Sequence, residues 1–164
     1  MVQIREMLAS DAAEVSELYA ASWRRTYGSM MSEAELASEI AQRLSVENQR
    51  REAEDSNLIT LVAVDNGQLV GATLSSMDDR NQAWIERMHV LPEYHGTGLA
   101  DDMMRATLIK HAGLQSIALK VLSENERAIA FYQKHGFSIT DEIPSDPSVG
   151  GADSAIMSRT IPRG

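Results

Sequence analysis

The amino-acid sequence predicts one mixed α/β domain over residues 1–164, with a mostly antiparallel, twisted sheet of about seven strands flanked by helices. Strand-like runs alternate with helix-like runs along the chain, and neither pattern repeats as a unit. Two apolar runs flank Asn66-Gly67, a pair that accepts the positive φ angles of a two-residue hairpin. No Pro-, Gly- or Ser-rich linker interrupts the chain, so we expect a single domain.

The first 75 residues are predicted to form a strand, two helices and a hairpin. Val2 to Met7 is the first strand, and Ser10 or Asp11 can cap the first helix. The residues on the inward face of this helix are Val15, Leu18, Tyr19 and Ser22. Ser32 and Glu35 form a capping box for a second helix that ends in the charged run 49–55. Its inward residues are Leu36, Ile40 and Leu44. The hairpin strands are residues 58–64 and 69–75.

The second half of the chain is predicted to alternate strands and helices before two closing strands. A strand over 83–91 precedes a glycine turn and a helix over about 97–112. Residues 116–122 alternate as a strand, and Ser123 with Glu126 forms a capping box for a last helix. Gly136 is a good residue to end that helix. The closing strands are residues 137–143 and 152–160.

Composition excludes several classes of function. The chain has no cysteine, which excludes disulfides, thiolate nucleophiles and cysteine zinc sites. A net charge of −9 disfavours nucleic acid as a partner and mildly favours a cationic small molecule. No apolar run approaches the ~20 residues that span a bilayer, and the N-terminus lacks a signal-peptide pattern, so we expect a cytoplasmic protein without a membrane partner. The four histidines show no metal-ligand spacing with acids, so no metal is expected.

A glycine turn within residues 90–104 is the main sign of a ligand site. Gly96 and Gly98 lie between a strand-like and a helix-like run, and a tight turn before a helix N-terminus is a phosphate-binding design. A dinucleotide-binding turn needs a third glycine where Asp101 stands, and a P-loop needs a Lys that follows neither glycine. The sequence fits neither of these two motifs.

Two segments resemble the GNAT family of N-acetyltransferases. Residues 95–100 resemble the family's pyrophosphate loop, in which Gly98 and Ala100 match the signature and His95 stands where Arg or Gln is usual. Residues 123–137 resemble the second signature, Asn-x-x-Ala-x-x-Phe-Tyr followed by Gly-Phe. The residues that match it are Asn125, Ala128, Phe131, Tyr132, Gly136 and Phe137. The segments occur in the family's order, and the resemblance covers nearly the whole chain.

The resemblance implies a GNAT-like acyl-coenzyme A N-acyltransferase fold and acetyl-coenzyme A as co-substrate. Backbone N–H groups of the loop and the positive end of the following helix would bind the pyrophosphate, so an acidic protein can still bind this anion. In the family, the strand before the loop offers its backbone to the pantetheine arm, and Met88 and Val90 are the donors by position. The cofactor-binding residues implied in this way are Met88, His89, Val90, His95, Gly96, Thr97, Gly98, Leu99, Ala100, Asn125, Ala128 and Phe131.

Catalytic residues follow from the same resemblance and from periodicity. Asn125, Ala128 and Tyr132 share one stripe of the last helix, and Tyr132 is expected to donate a proton to the leaving sulfur. Its alternative role is a core aromatic. Glu86 shares one face of its strand with the apolar residues Trp84, Met88 and Val90. A carboxylate among apolar neighbours should have a raised pKa, which suits a general base or a water-relayed proton acceptor. His89 on the opposite face is the rival base, and an ion pair of Glu86 with a neighbour such as Arg87 or Arg24 is the structural alternative.

The acceptor pocket is the least determined part of the site. Trp23 and Tyr27 are candidates for its lining, with Arg24 or Arg25 at the rim, although the same residues could join two helices as a hydrophobic staple. Aromatic rings suit a cation and arginines suit a carboxylate, so the acceptor stays open. We expect acetyl transfer to a primary amine of a small molecule or peptide, by direct attack in a ternary complex. The alternative is a non-catalytic acyl-coenzyme A sensor or interaction module, and a homodimer is left open.

Overall fold

A computed structural model describes residues 1–161, which contain seven strands and five α-helices. The strands are β1 (Val2–Glu6), β2 (Leu58–Asp65), β3 (Gln68–Met77), β4 (Ala83–Val90), β5 (Ser116–Leu122), β6 (Ser138–Asp146) and β7 (Ala152–Thr160). The helices are α1 (Ala12–Tyr27), α2 (Glu33–Arg43), α3 (Val46–Glu54), α4 (Leu99–Lys110) and α5 (Glu126–Lys134). The strand order is β1-β2-β3-β4-β5-β7-β6, with β4 and β5 parallel. The predicted mixed, mostly antiparallel α/β fold is confirmed.

The chain divides into two compact units, and the first comprises residues 1–75 and 87–110. One hydrophobic cluster joins α1 to β2 and β3, and its buried members are Met7, Ala12, Val15, Leu18, Tyr19, Leu44, Val62, Leu69 and Ala72. A second cluster contains Ala63, Val70, Leu99 and Met103. Val62 and Ala63 are neighbours on β2 but belong to different clusters, so this strand buries both of its faces.

Gly71 on β3 permits a close approach of α4 to this part of the sheet. A Cβ added at Gly71 would lie 2.7 Å from the Sδ atom of Met103 and 3.2 Å from Cγ1 of Val90. Met103 is fully buried. A side chain at position 71 would therefore require the side chain of Met103, and to a smaller extent that of Val90, to move.

The second unit comprises residues 76–86 and the chain from His111 onward. Here β5 pairs with β7 over seven residue pairs, from Ser116↔Thr160 to Leu122↔Ser154. The parallel register between β5 and β4 is shorter and covers Ala83↔Ile117 to Ile85↔Leu119. Strand β6 pairs with β7 and has two register shifts.

Most predicted elements are confirmed, and two helix boundaries are corrected. Asn66 and Gly67 both have positive φ, as the predicted hairpin requires. The second predicted helix is wrong in its length, because it ends at Arg43 and α3 follows. Ser45 starts α3 by accepting a hydrogen bond from the backbone N–H of Asn48. The predicted start of the last helix is also wrong, because its N-cap is Asn125 rather than Ser123.

Candidate active site

The glycine loop, residues 95–100, leaves a short 3₁₀ turn at Pro92–Tyr94 and enters α4 at Leu99. Gly96 and Gly98 have φ angles of 80° and 90°, in the left-handed region that favours glycine. A Cβ added at either glycine would meet no atom within 4 Å. The space in front of both glycines is therefore open, and a ligand can approach the backbone there closely.

Alternate backbone amides of this loop are free to bind a ligand. The N–H of His95 donates to the carbonyl of Pro92, and that of Thr97 donates to the carbonyl of Tyr94. Within residues 1–161, the N–H groups of Gly96, Gly98 and Ala100 donate to no acceptor. Three unpaired N–H groups at the N-terminus of a helix form an anion-binding arrangement.

The two aspartates in the first turn of α4 do not both face this loop. Asp102 forms an ion pair with Arg105, its Oδ1 atom lying 2.6 Å from the guanidinium, and both side chains are exposed. A carboxylate close to a phosphate would repel it. The ion pair directs the negative charge of Asp102 toward Arg105 of its own helix, which reduces this repulsion. Asp101 is half-buried in the same turn.

The last residues of β4 lie in the first unit, and His89 is held there by α1. Its Nδ1 atom lies 2.6 Å from Oγ of Ser22, and its ring meets the ring of Tyr19 edge to face at 5.5 Å. Burial, with smaller effects from the cations Arg87 and Arg25, lowers the pKa of His89 to about 4. A neutral imidazole of such low basicity is a poor base for an ammonium group, which argues against His89 as the rival base.

Arg87, two residues earlier, is part of a polar group that the sequence did not indicate. Its guanidinium lies 3.0 Å from Glu52 on α3, 3.5 Å from Oε1 of Gln49, and over the ring of Tyr19 at 5.1 Å. The strand's period of two predicts that Arg87 shares a face with His89, but the partner helix could not be predicted because α3 itself was missed. Arg87 is therefore paired with Glu52 rather than with Glu86.

Glu86 lies in the second unit and in different surroundings from those expected. Its side chain is exposed, and Oε1 accepts a hydrogen bond of 2.8 Å from the hydroxyl of Ser76. The expectation of an apolar environment for this carboxylate is wrong, because the side chain points to solvent beside a hydroxyl. Oε2 of Glu86 has no hydrogen-bond partner among the residues described, so it remains available to a ligand.

Helix α5 carries the second signature, and Asn125 has a clear structural task in it. Its Oδ1 atom accepts a hydrogen bond of 3.1 Å from the N–H of Ala128 and so caps the helix. Ala128 and Phe131 are half-buried, and the ring of Phe131 contacts those of Tyr132 and His135.

Tyr132 combines a packed ring with an unpaired hydroxyl. The ring contacts Phe131 and Phe137 at centroid distances of 5.4 and 5.7 Å. Within residues 1–161 the hydroxyl makes no hydrogen bond, and burial raises the pKa of the phenol to about 12. The phenol is therefore protonated at neutral pH and keeps its proton to donate.

The rings of Trp23 and Tyr27 contact each other near the end of α1, with centroids 5.1 Å apart and planes inclined by 58°. Trp23 packs against the hydrophobic cluster that joins α1 to β2 and β3, and the guanidinium of Arg43 lies 6.0 Å from its ring centre. Arg43 is also bound to Glu39 at 2.8 Å. These contacts favour the hydrophobic staple over an open aromatic cage, because one face of Trp23 already holds a cation of this chain.

The predicted residues thus fall into two sets. The first unit holds the glycine loop, Met88, His89, Val90, Trp23 and Tyr27, and the second holds Glu86 and the residues of α5. In the part of the chain that the structure describes, no helix is both long and apolar enough to cross a membrane.

Comparison with known proteins gives a consistent result. A family model described as "Acetyltransferase (GNAT) family" matches residues 13–137. The spermidine N(1)-acetyltransferase of Thermoplasma acidophilum is 27% identical, with 88% of this chain and 93% of that protein covered. N-alpha-acetyltransferase 30 of Schizosaccharomyces pombe is 32% identical over 84 residues, which are 48% of this chain and 56% of that protein. The crystal structure of PaiA N-acetyltransferase from Thermoplasma acidophilum with coenzyme A superposes with a TM-score of 0.82 at 25% identity and covers 98% of this chain and 99% of that one.

The fold, the loop and these similarities define the class of protein, which is an acyltransferase enzyme. Within this class the chain belongs to the acetyltransferase (GNAT) family.

Proposed function

We propose that the chain transfers the acetyl group of acetyl-coenzyme A to a primary amine by direct attack in a ternary complex. The observation that carries the proposal is the glycine loop, in which the N–H groups of Gly96, Gly98 and Ala100 are unpaired and the space before both glycines is open. A pyrophosphate needs several short N–H donors, and these amides at the positive end of α4 supply them. The complex of PaiA with coenzyme A supports the choice of ligand.

The remaining cofactor contacts are assigned by family resemblance. Met88 and Val90 donate backbone N–H groups to the pantetheine arm, because amides two residues apart on a strand leave the same edge. Asn125, through its capping of α5, and Ala128 form the helix face that carries Tyr132. Because Asn125 Oδ1 already accepts from the N–H of Ala128, Asn125 contributes to binding through the helix geometry and through its amide nitrogen, which donates to no group in the described part of the chain.

Two side chains carry the chemistry. The amine nitrogen attacks the thioester carbon, the carbon–sulfur bond breaks, and the sulfur leaves with a proton. Tyr132 supplies that proton or a hydrogen bond to the sulfur, since its phenol is protonated and has no hydrogen-bond partner within residues 1–161. Glu86 accepts the proton that the amine loses, directly or through water, with Oε1 fixed by Ser76 and Oε2 free. No covalent acyl-enzyme is required, because the amine attacks the thioester directly and the chain contains no cysteine to serve as a thiolate nucleophile.

The acceptor we favour is a cationic amine. The net charge of −9 raises the local concentration of cations, and the carboxylate of Glu86 is exposed to them. The spermidine N(1)-acetyltransferase of Thermoplasma acidophilum, which matches most of both chains, supports a polyamine. A peptide N-terminus is the second acceptor, supported by the shorter match to N-alpha-acetyltransferase 30.

One assay tests the proposal against a binding protein without turnover. The purified chain is incubated with acetyl-coenzyme A and a panel of spermidine, spermine, amino acids, aminoglycosides and peptides with free N-termini, and released thiol is followed. Thiol release with an acetylated product, fastest for the polyamines, is expected. Calorimetric binding of acetyl-coenzyme A without thiol release for any amine would instead identify a sensor, and the absence of binding would refute both functions.

A further inference from the structure

The glycine loop needs an anchor outside itself. His95, Gly96 and Thr97 are exposed, and neither glycine meets another atom at the position where a side chain would begin. Glycine also loses more backbone freedom on ordering than any other residue. A loop with this composition presents its amides in one arrangement only if neighbouring residues hold it.

Tyr94, directly before the loop, is fixed to the sheet through its side chain. Its hydroxyl donates a hydrogen bond of 2.5 Å to Oδ2 of Asp65, the last residue of β2. Its ring packs against the cluster that contains Val70 and Leu99. Asp65 itself lies on a paired strand, opposite Val2 of β1, so this bond connects Tyr94 to a rigid element.

The backbone of Tyr94 is fixed as well, and it extends the connection into the loop. Its N–H donates to the carbonyl of Leu91 at 2.9 Å. Its carbonyl accepts two hydrogen bonds from Thr97, one of 2.6 Å from the hydroxyl and one of 3.3 Å from the N–H. Thr97 is the residue between the two glycines, so the orientation of Tyr94 determines where Gly96 and Gly98 can direct their N–H groups.

We propose that Tyr94 and Asp65 are positioning residues that hold the glycine loop in the conformation that binds the pyrophosphate of acetyl-coenzyme A. This inference rests on the proposed function of the loop. The hydrogen bond to the Asp65 carboxylate raises the pKa of Tyr94, so the phenol remains a donor throughout the working pH range. Asp65 and Tyr94 act through the loop, and neither is assigned a contact with the reacting atoms.

Tyr94→Phe is the first test, because it keeps the ring and deletes the donor. The KM and calorimetric Kd for acetyl-coenzyme A should rise about 10- to 100-fold, the effect of losing one hydrogen bond to a charged group. The kcat at saturating acetyl-coenzyme A and the KM for the amine should stay within about twofold of the wild type, because a positioning role changes the binding of one substrate.

Substitutions of Asp65 distinguish a specific bond from general damage. Asp65→Ala should weaken cofactor binding as Tyr94→Phe does, and the double variant should bind no worse than either, because both remove the bond between Tyr94 and Asp65. Asp65→Ala also removes the 3.7 Å ion pair of Asp65 with the N-terminal ammonium, so its Tm is measured beside the Kd. Asp65→Asn keeps an acceptor oxygen and should restore part of the affinity. The control is Glu6→Gln, which disrupts the 3.1 Å ion pair of Glu6 with Lys110 in the same unit and should leave cofactor affinity unchanged.

Binding measurements on the wild type and on Tyr94→Phe distinguish failure of this inference from failure of the proposed function. If the wild type fails to bind acetyl-coenzyme A, the proposed function is wrong and the inference falls with it. If the wild type binds and Tyr94→Phe binds equally well, the function stands and the inference is overturned. A lower Tm for Tyr94→Phe with wild-type affinity per folded molecule also overturns it, and if Asp65→Ala does not fold, Tyr94→Phe alone decides.

Discussion

Replacing Tyr132 by phenylalanine separates the chemical role of this residue from its packing. The substitution keeps the ring contacts with Phe131 and Phe137 and removes the hydroxyl alone. Because this hydroxyl has no hydrogen-bond partner within residues 1–161, folding loses no hydrogen bond, and the free energy of unfolding should change by less than ~0.5 kcal/mol. A purely structural tyrosine would instead have a buried, satisfied hydroxyl whose loss costs ~1 kcal/mol or more.

Turnover should fall by at least ~10-fold in Tyr132→Phe, while the Kd for acetyl-coenzyme A stays within about twofold. General-acid assistance contributes ~10²–10⁴ in rate, and water can replace part of it. The raised pKa adds a second readout. With a pKa of about 12, the phenol is still protonated at pH 10, so the ratio of wild-type to variant turnover should be constant from about pH 7 to pH 10.

Thermal unfolding, calorimetry and thiol release measured on one preparation test this prediction. Gln133→Ala, at the exposed neighbouring position of α5, controls for general disturbance of the helix. Wild-type turnover in Tyr132→Phe would remove the residue from the chemistry. If the ratio of wild-type to Tyr132→Phe turnover falls to one near pH 9, the proton donor is a group with a lower pKa than about 12.

Three further predictions concern other residues of the site. Gly98→Val should weaken acetyl-coenzyme A binding more than it lowers Tm, because the added side chain strains a positive φ and fills the space before the loop; calorimetry on the folded variant checks it. Glu86→Gln should lower turnover mainly below the pKa of the amine, where a base must remove the ammonium proton, and an unchanged pH–rate profile would refute this. Burial lowers the pKa of His89 to about 4, so the folded protein disfavours the protonated imidazole. The contribution of the neutral ring to stability is complete above the unfolded pKa of about 6.5 and is lost as pH falls toward 4. In urea unfolding, the free energy of unfolding of the wild type should therefore fall between pH 7.5 and pH 5. In His89→Gln, which has no imidazole to protonate, this fall should be smaller by about 1–2 kcal/mol.

Local rules predicted the fold well because the chain follows them closely. The hairpin at Asn66-Gly67 and the capping box at Ser32 are chemical signals within four residues, and both are present in the structure. The break between α2 and α3 was missed because Ser45 is followed by a charged, helix-favouring run that reads as a continuation of α2. The cap at Asn125 was missed because Ser123 offers an equally good local pattern.

The site was predictable in position but not in its electrostatics. The motifs give the residue numbers of the loop and of α5, since their glycines and helical spacing are local. The environment of Glu86 depends on Ser76, which lies ten positions away on another strand, and the partner of Arg87 depends on α3. The period of a strand predicts which face a side chain takes but not which groups from elsewhere in the chain will meet it.

The absence of a side chain at Gly71 links two distant positions of the chain. The sulfur of Met103 occupies the space where a side chain at position 71 would begin. A larger residue at 71 therefore needs a smaller one at 103. Among related sequences, an alanine or serine at 71 should occur together with a smaller residue at 103, as a covarying pair. Gly71→Ala alone should displace the side chain of Met103 and lower the Tm, whereas Gly71→Ala combined with Met103→Val should recover part of the loss because the sulfur is removed. The packing of α4 on β3 is thus decided jointly by two residues to which the proposed chemistry assigns no role.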